Sequence, residues 1–185
     1  MKINSSIVII GEICSGKSTL ARRLAEDVQL PKASFGGYLL QYCKDNGIPE
    51  HERGDLQNMG QQMIEDDAPS FLHKVINFST TELSIVLFEG VRHEIILREI
   101  SGMSGRTATI YVEASYSQRL SRYLARQKEI DTGKTEADFL TASRHPVERE
   151  VPLLKEKCSF VIESSDSADN DYEQLKQFIS KWLSK

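Results

Sequence analysis

The sequence predicts an α/β fold in which one parallel β-sheet is covered by helices on both faces. Three observations support this fold class. Short apolar runs alternate with helical patterns along the chain, and a glycine-rich turn joins the first strand to the first helix. The length of 185 residues suits one domain with one core, which we expect to span residues 1–185.

The first strand and the turn after it carry the strongest signal. Ile7–Ile10 is short, apolar and β-branched, as is typical of a strand buried on both faces. Residues 11–19 follow directly and fit the pattern Gly, four residues, Gly-Lys-Ser/Thr. Leu20, Leu24 and Val28 then recur at helical spacing. Strand, turn and helix therefore come in the order that a phosphate-binding loop requires.

The residues of this loop suit a nucleoside triphosphate. Gly11 and Gly16 let main-chain amides turn inward, where they and the helix N-terminus can bind an anion. Lys17 can reach the β- and γ-phosphates, the Ser18 hydroxyl can ligate Mg²⁺, and Thr19 can contact a phosphate or support the first helical turn. The alternative is a turn that merely caps a helix. We predict ATP and Mg²⁺ as cofactors, with ATP held by Gly11, Ile13, Cys14, Ser15, Gly16, Lys17, Ser18 and Thr19.

Composition narrows the possible partners and the compartment. A net charge of −4 argues against a broad basic face and hence against a nucleic-acid partner. No apolar run approaches bilayer length, so no membrane segment is predicted. Cys14, Cys43 and Cys158 are odd in number and far apart, which favours a reducing, cytoplasmic compartment. The sequence carries no signal for oligomeric state.

Further strands and helices follow in alternation, which predicts a parallel sheet. The strands are predicted at Ala33–Phe35, Ser84–Phe88, Thr107–Val112 and Ser159–Ile162. A last helix is predicted from about Tyr172, with a polar loop before it. Two segments, about 36–79 and about 119–155, are longer than a plain crossover needs, and we interpret them as helical insertions that serve as a substrate arm and a lid.

These features resemble the nucleoside monophosphate kinase-like branch of P-loop kinases, near archaeal-type dephospho-coenzyme A kinases and related small nucleotide kinases. The matching segments are 11–19, Phe88–Arg92 and Arg119–Arg126. The resemblance implies a three-layer sandwich with a five-stranded sheet in the order 2-3-1-4-5, an acceptor arm and a lid. It also implies phosphoryl transfer from ATP to a small, already phosphorylated nucleoside-like acceptor.

The segment Glu89-Gly90-Val91-Arg92 looks like the family's Asp-Gly-x-Arg element, with Glu in place of Asp. The resemblance implies that Glu89 lies near the magnesium ion or the acceptor oxygen and that Arg92 holds the acceptor's phosphate. A carboxylate at the carboxyl end of a central strand would face the ligand crevice. Whether Glu89 acts as a base or through a magnesium-bound water is left open. The alternative for Glu89 is an ordinary acid at the start of a helix, and the alternative for Arg92 is a solvated surface arginine.

Arginines are concentrated in the second insertion. Arg119, Arg122 and Arg126 share one helix face. The family places lid arginines after strand 4, which implies that Arg122 and Arg126 neutralise charge on the transferred phosphoryl group. Arg144 and Arg149 lie where the lid should return. The alternative is exposed salt bridging to acids such as Glu129, Asp131, Glu148 and Glu150.

Three residues of the first insertion are predicted to contact the acceptor: Gly36, Arg53 and Gln57. Phe35 and Tyr38 are predicted either to stack on a base or to form the core of the arm. The adenine of ATP is expected near the loop after the fifth strand, which contains Ser164.

Two other classes of function remain open at this point. One is a P-loop ATPase that uses hydrolysis as a switch, with Glu89 polarising water. The other is a non-catalytic nucleotide-binding module. The sequence does not identify the acceptor, which could be a deoxynucleotide, dephospho-coenzyme A or another small alcohol or phosphate.

Overall fold

The computed structural model describes residues 2–48, 53–125 and 135–184, with the backbone alone at Arg53. Its strands are β1 (Ile3–Ile10), β2 (Lys32–Ser34), β3 (Ile85–Glu89), β4 (Ser104–Glu113) and β5 (Phe160–Glu163). They form one parallel sheet in the order β2-β3-β1-β4-β5. This confirms the expected strand order. The second strand lies one residue earlier than predicted, because Lys32 belongs to it and Phe35 already belongs to a helix.

Helices fill the connections between the strands. They are α1 (Lys17–Asp27), α2 (Phe35–Asp45), α3 (Arg53–Ser79), α4 (Glu94–Met103), α5 (Tyr116–Ala125), α6 (Glu136–Ser143), α7 (Pro146–Glu150), a 3₁₀ helix (Val151–Lys157) and α8 (Ala168–Leu183). The predicted start of α8 at Tyr172 was wrong by four residues, because the Ser167 side chain accepts from the Asn170 amide and caps the helix earlier. Within the described ranges, no helix is long and apolar enough to cross a membrane.

Helix α3 is broken at Asp67, where φ is −165° and ψ is 89°. The Asp67 carboxylate accepts from the Ser70 amide at 2.9 Å, and Pro69 falls in the first turn of the second half, where its missing N–H is tolerated. The second half packs into the core through residues such as Phe71 and Leu72. The first half of α3 lines a cavity.

Successive side chains of β1 point to opposite faces of the sheet, and helices cover both faces. Val8 and Ile10 pack against α2, α3 and α4, whereas Ile7 and Ile9 pack against α1 and α8. All four side chains are fully buried. The three-layer architecture is therefore confirmed.

The aromatic residues of the first insertion belong to the core of the arm. The Phe35 and Tyr38 rings lie 5.5 and 5.8 Å from the Phe71 ring, both in edge-on arrangements. Of the two alternatives that the sequence left open for Phe35 and Tyr38, the structure favours packing.

Candidate functional site

A cavity of about 860 Å³ opens where the carboxyl ends of β2 and β3 meet the phosphate-binding loop. It extends to the first half of α3, so it brings together residues that the sequence assigned to ATP and to the acceptor. These are Cys14, Gly16, Lys17, Ser18, Thr19, Gly36, Gln57, Glu89, Arg92 and Arg122. The other predicted residues whose side chains are described lie outside its wall: Gly11, Ile13, Ser15, Ser164, Arg144 and Arg149.

Two glycines give the loop its shape. A methyl group at Gly11 would lie 2.5 Å from the Ser15 Oγ and 2.6 Å from the Val112 carbonyl oxygen, so only glycine lets the loop close against β4. Gly16 has φ 102° and is the N-cap of α1, where it offers no side chain to satisfy the first helical amides. Those amides are suited to bind an anion.

Ile13 and Ser15 contribute to the loop through their backbone. Ile13 is fully buried and packs with Tyr123 and Phe139, which attaches the loop to α5 and α6. Ser15 is also fully buried, and its carbonyl oxygen accepts from Arg122 Nη1 at 2.9 Å. The prediction that these two residues bind ATP can therefore apply only to their main-chain groups.

Ser18, Glu89 and Lys32 form a connected polar group in the cavity wall. The Ser18 hydroxyl donates to one carboxylate oxygen of Glu89, and Lys32 Nζ lies 3.4 Å from the other. Lys17 Nζ donates to the Glu12 carbonyl at 3.0 Å. Hydroxyl and carboxylate oxygens are the ligands that Mg²⁺ prefers, so Ser18 and Glu89 fit this ion.

Sequence reasoning missed Lys32, which belongs to no motif. The β2–β3 register places Ser34 opposite Glu89 and Lys32 opposite Leu87. Because residues two apart share a face of a strand, Lys32 lies on the same side of β2 as Ser34. Only the strand pairing could have placed this ammonium group beside Glu89.

Arg122 of α5 connects the phosphate-binding loop to the segment that follows β5. Its guanidinium donates to the Ser15 carbonyl at 2.9 Å, to the Ser165 carbonyl at 3.0 Å and to the Ser164 hydroxyl at 3.0 Å. Asp171 in turn accepts from the Ser164 hydroxyl and the Ser165 amide, both at 2.8 Å. The predicted adenine-side residue Ser164 and the predicted transfer residue Arg122 are thus held together beside Gly16.

The other arginines of the second insertion are dispersed. Arg119 Nη1 lies 3.1 Å from a carboxylate oxygen of Glu12, so this arginine joins α5 to the loop. Arg144 and Arg149 are exposed, and Arg149 Nε donates to the Arg144 carbonyl at 3.1 Å. Arg126 lies outside the described residues. A lid role for Arg126, Arg144 and Arg149 stays a prediction.

In the part of the cavity that the sequence assigned to the acceptor, Arg92 forms an ion pair with Glu148 of α7. Gln57 Nε2 donates to the same carboxylate at 3.2 Å. The sequence offered Glu148 as an exposed partner of the lid arginines; this was wrong, because its side chain is only 2% exposed. Val147 and Glu148 are the buried residues of this short helix. Gly36 lines the cavity, and the side chain of Arg53 lies outside what the structure describes.

His145, the N-cap of α7, should make stability depend on pH. Its Nδ1 accepts from the Val147 amide at 3.4 Å, and its Nε2 lies 3.1 Å from Asn58 Oδ1. Burial, with a smaller contribution from the charge of Arg92, lowers the pKa of His145 below its usual value of 6.5. The unfolded chain therefore binds a proton more readily than the folded one, and stability should fall as the pH drops below about 6.5. We expect wild type to lose unfolding free energy relative to His145→Asn between pH 7.5 and pH 5.5 in urea titrations; a constant difference would contradict this.

Cys14 should be the first cysteine to react with an alkylating agent, and nucleotide should protect it. Cys14 lines the cavity, Cys43 is 1% exposed, and burial raises the pKa of Cys158 to about 11. Because the thiolate is the reactive form, Cys158 should react slowly. We expect ATP at saturating concentration to slow iodoacetamide labelling of Cys14 by about tenfold, measured by mass spectrometry of its peptide. Equal labelling with and without ATP would argue against nucleotide at this loop.

The fold is similar to those of several solved proteins, two of which are small-molecule kinases. A shikimate kinase from Bacteroides thetaiotaomicron superposes with a TM-score of 0.61 at 13% sequence identity, covering 95% of this chain and 98% of that chain. A gluconokinase from Sinorhizobium meliloti 1021 gives a TM-score of 0.58 at 14% identity, covering 94% and 90%. The protein TT1252 from Thermus thermophilus gives 0.59 at 21% identity, covering 97% and 98%. At these identities the similarity concerns the fold alone.

Comparison with curated protein sequences gives no significant match. A family model described as an AAA domain matches residues 7–140, which hold the phosphate-binding loop, the acidic end of β3 and helix α5. Since this match covers most of the chain, the protein belongs to the AAA domain family, and its fold is that of the P-loop kinases.

Proposed function

We propose that this protein transfers a phosphoryl group from ATP to a small nucleoside- or nucleotide-like acceptor, as nucleoside monophosphate kinases do. The observation that supports this most directly is that one cavity joins Lys17, Ser18 and Glu89 to Gln57 and Arg92. A donor and an acceptor could therefore lie in one space, in contact with each other, as in-line phosphoryl transfer requires.

In this proposal the loop amides and Lys17 hold the triphosphate of ATP. Ser18 and Glu89 would hold Mg²⁺, which neutralises phosphate charge when bound. Glu89 already accepts from Ser18 and lies beside Lys32, and these contacts favour an orienting role over that of a free general base. Arg122 keeps the loop and the segment around Ser164 together, and no covalent enzyme intermediate is required.

The decisive experiment is a screen of nucleosides, nucleoside monophosphates and dephospho-coenzyme A with ATP and Mg²⁺, in which ADP release is measured. We expect one acceptor class to raise ADP release far above the rate without acceptor. The prediction that the acceptor already carries phosphate is tested by the pairs of nucleosides and their monophosphates. Lys17→Ala serves as a control for contaminating kinases.

The same screen separates the proposal from its two rivals. Rapid ADP release that no acceptor changes would indicate an ATPase. Tight ATP binding without ADP release in any reaction would indicate a non-catalytic nucleotide-binding module. Either result would contradict the kinase proposal.

A further inference from the structure

The acceptor end of the cavity contains an ion pair, Arg92 and Glu148, and a third residue, Gln57, that contacts it. The three residues come from segments far apart in the chain. Arg92 follows β3, Gln57 lies on the first half of α3, and Glu148 lies on α7. Both Arg92 and Gln57 contact the Glu148 carboxylate, and both line the cavity. Glu148 lies behind them and is 2% exposed.

This pairing changes what Arg92 can offer to an acceptor. A carboxylate in direct contact with the guanidinium offsets part of its positive charge toward a ligand in the cavity. A phosphate that approached Arg92 would also approach Glu148, and two anions close together repel each other. Arg92 therefore presents to the cavity hydrogen-bond donors whose positive charge Glu148 partly balances, and Gln57 presents an amide.

Arg92 cannot leave Glu148 for another partner at low cost, because the buried Glu148 carboxylate depends on it for a counter-charge. One carboxylate oxygen of Glu148 is shared by Arg92 and Gln57, whereas the other is buried and has no hydrogen-bond partner among the described residues. Movement of Arg92 toward a phosphate would leave a buried carboxylate supported by Gln57 alone. Removing one partner of a buried ion pair is strongly unfavourable.

Apolar side chains share the cavity wall with the pair. Leu56, Ile64 and Val147 line the cavity together with Arg92 and Gln57. Apolar walls with a few fixed hydrogen-bonding groups are typical of sites that bind flat or neutral polar molecules.

We propose that Arg92 and Gln57, held by Glu148, recognise an uncharged hydrogen-bonding part of the acceptor, a nucleobase edge or sugar hydroxyls, and do not bind its phosphate. This inference rests on the proposed kinase function and adds the chemistry of the acceptor. The acceptor class is a compound with a neutral polar group opposite Arg92, and Glu148 is the positioning residue that sets this preference.

The test is a binding comparison on the full chain, with the phosphate-binding loop filled by a non-hydrolysable ATP analogue and Mg²⁺. The probes are inorganic phosphate, ribose and the four ribonucleosides, and calorimetry gives their dissociation constants. In wild type we expect at least one nucleoside or ribose to bind at least about tenfold more tightly than phosphate. Tighter binding of a nucleoside than of ribose indicates recognition of the base, and equal binding indicates recognition of the sugar.

The Glu148→Gln variant keeps the size of the side chain and removes the negative charge that offsets the charge of Arg92. We expect it to bind phosphate at least about tenfold more tightly than wild type does. Glu156→Gln removes the same charge from an exposed position on the 3₁₀ helix, and it should behave as wild type.

Tighter binding of phosphate than of every neutral probe by wild type, or binding of no neutral probe at all, would overturn the inference. This comparison needs no variant, so it remains decisive if Glu148→Gln does not fold. Failure of the kinase proposal is a separate result, because it is seen as absent ADP release with every acceptor, whatever the order of binding.

Discussion

Lys17→Ala should lower the rate of phosphoryl transfer by on the order of a thousand-fold or more, equivalent to ~4 kcal/mol of transition-state stabilisation. Lys17 is the first residue of α1, and its ammonium group lies in the cavity wall within 3.0 Å of the Glu12 carbonyl. From this position it can stabilise the negative charge that develops on the leaving phosphate. Alanine keeps the helical backbone but offers no cation.

The loss should occur without unfolding. Lys17 lies at the N-terminus of α1, whereas the side chains that pack this helix against the sheet are Leu20, Ala21 and Leu24. We expect the melting temperature to change by no more than a few degrees and ATP affinity to fall. Lys176→Ala, which removes an exposed lysine from α8, is the matched control and should retain full activity. Near-normal turnover of Lys17→Ala would refute the assignment of the loop.

The features that could be predicted from the sequence are those encoded by neighbouring residues. Ile7–Ile10 is apolar throughout because β1 has neighbours on both edges and helices on both faces, and such a strand cannot alternate with polar residues. The loop after it needs glycine where a methyl group would meet the Val112 carbonyl. These requirements are local, so they appear directly as sequence patterns.

Features that depend on distant partners could not be predicted in the same way. Glu148 is one acid among several in its segment, and nothing adjacent distinguishes it from the exposed Glu150. Its burial follows from where α7 meets Arg92 and Gln57, which are 56 and 91 positions away in the chain. Lys32 is similar, because its contact with Glu89 depends on the pairing of β2 with β3.

Arg92→Met should destabilise the fold by ~3–5 kcal/mol, because it leaves the Glu148 carboxylate buried without its cation. That is a large share of the ~5–15 kcal/mol that holds a typical domain together. The melting temperature should fall by ~10 °C. Arg98→Met is the matched control: Arg98 is 73% exposed, and its nearest approach to Glu94 is 3.8 Å, so its loss should cost less than ~1 kcal/mol.

The double variant Arg92→Met/Glu148→Met separates the stability of the site from its recognition of the acceptor. Replacing both members of a buried ion pair by apolar side chains of similar size is often neutral, so most of the lost stability should return. Acceptor binding should not return, because Arg92 and the group that orients it are both gone, whereas ATP binding should be kept because the phosphate-binding loop is unchanged. Urea unfolding and separate KM values for ATP and acceptor measure the two effects. A double variant as unstable as Arg92→Met would show that Glu148 is not the partner that makes Arg92 necessary, and equal losses of ATP and acceptor binding would remove Arg92 from the acceptor site.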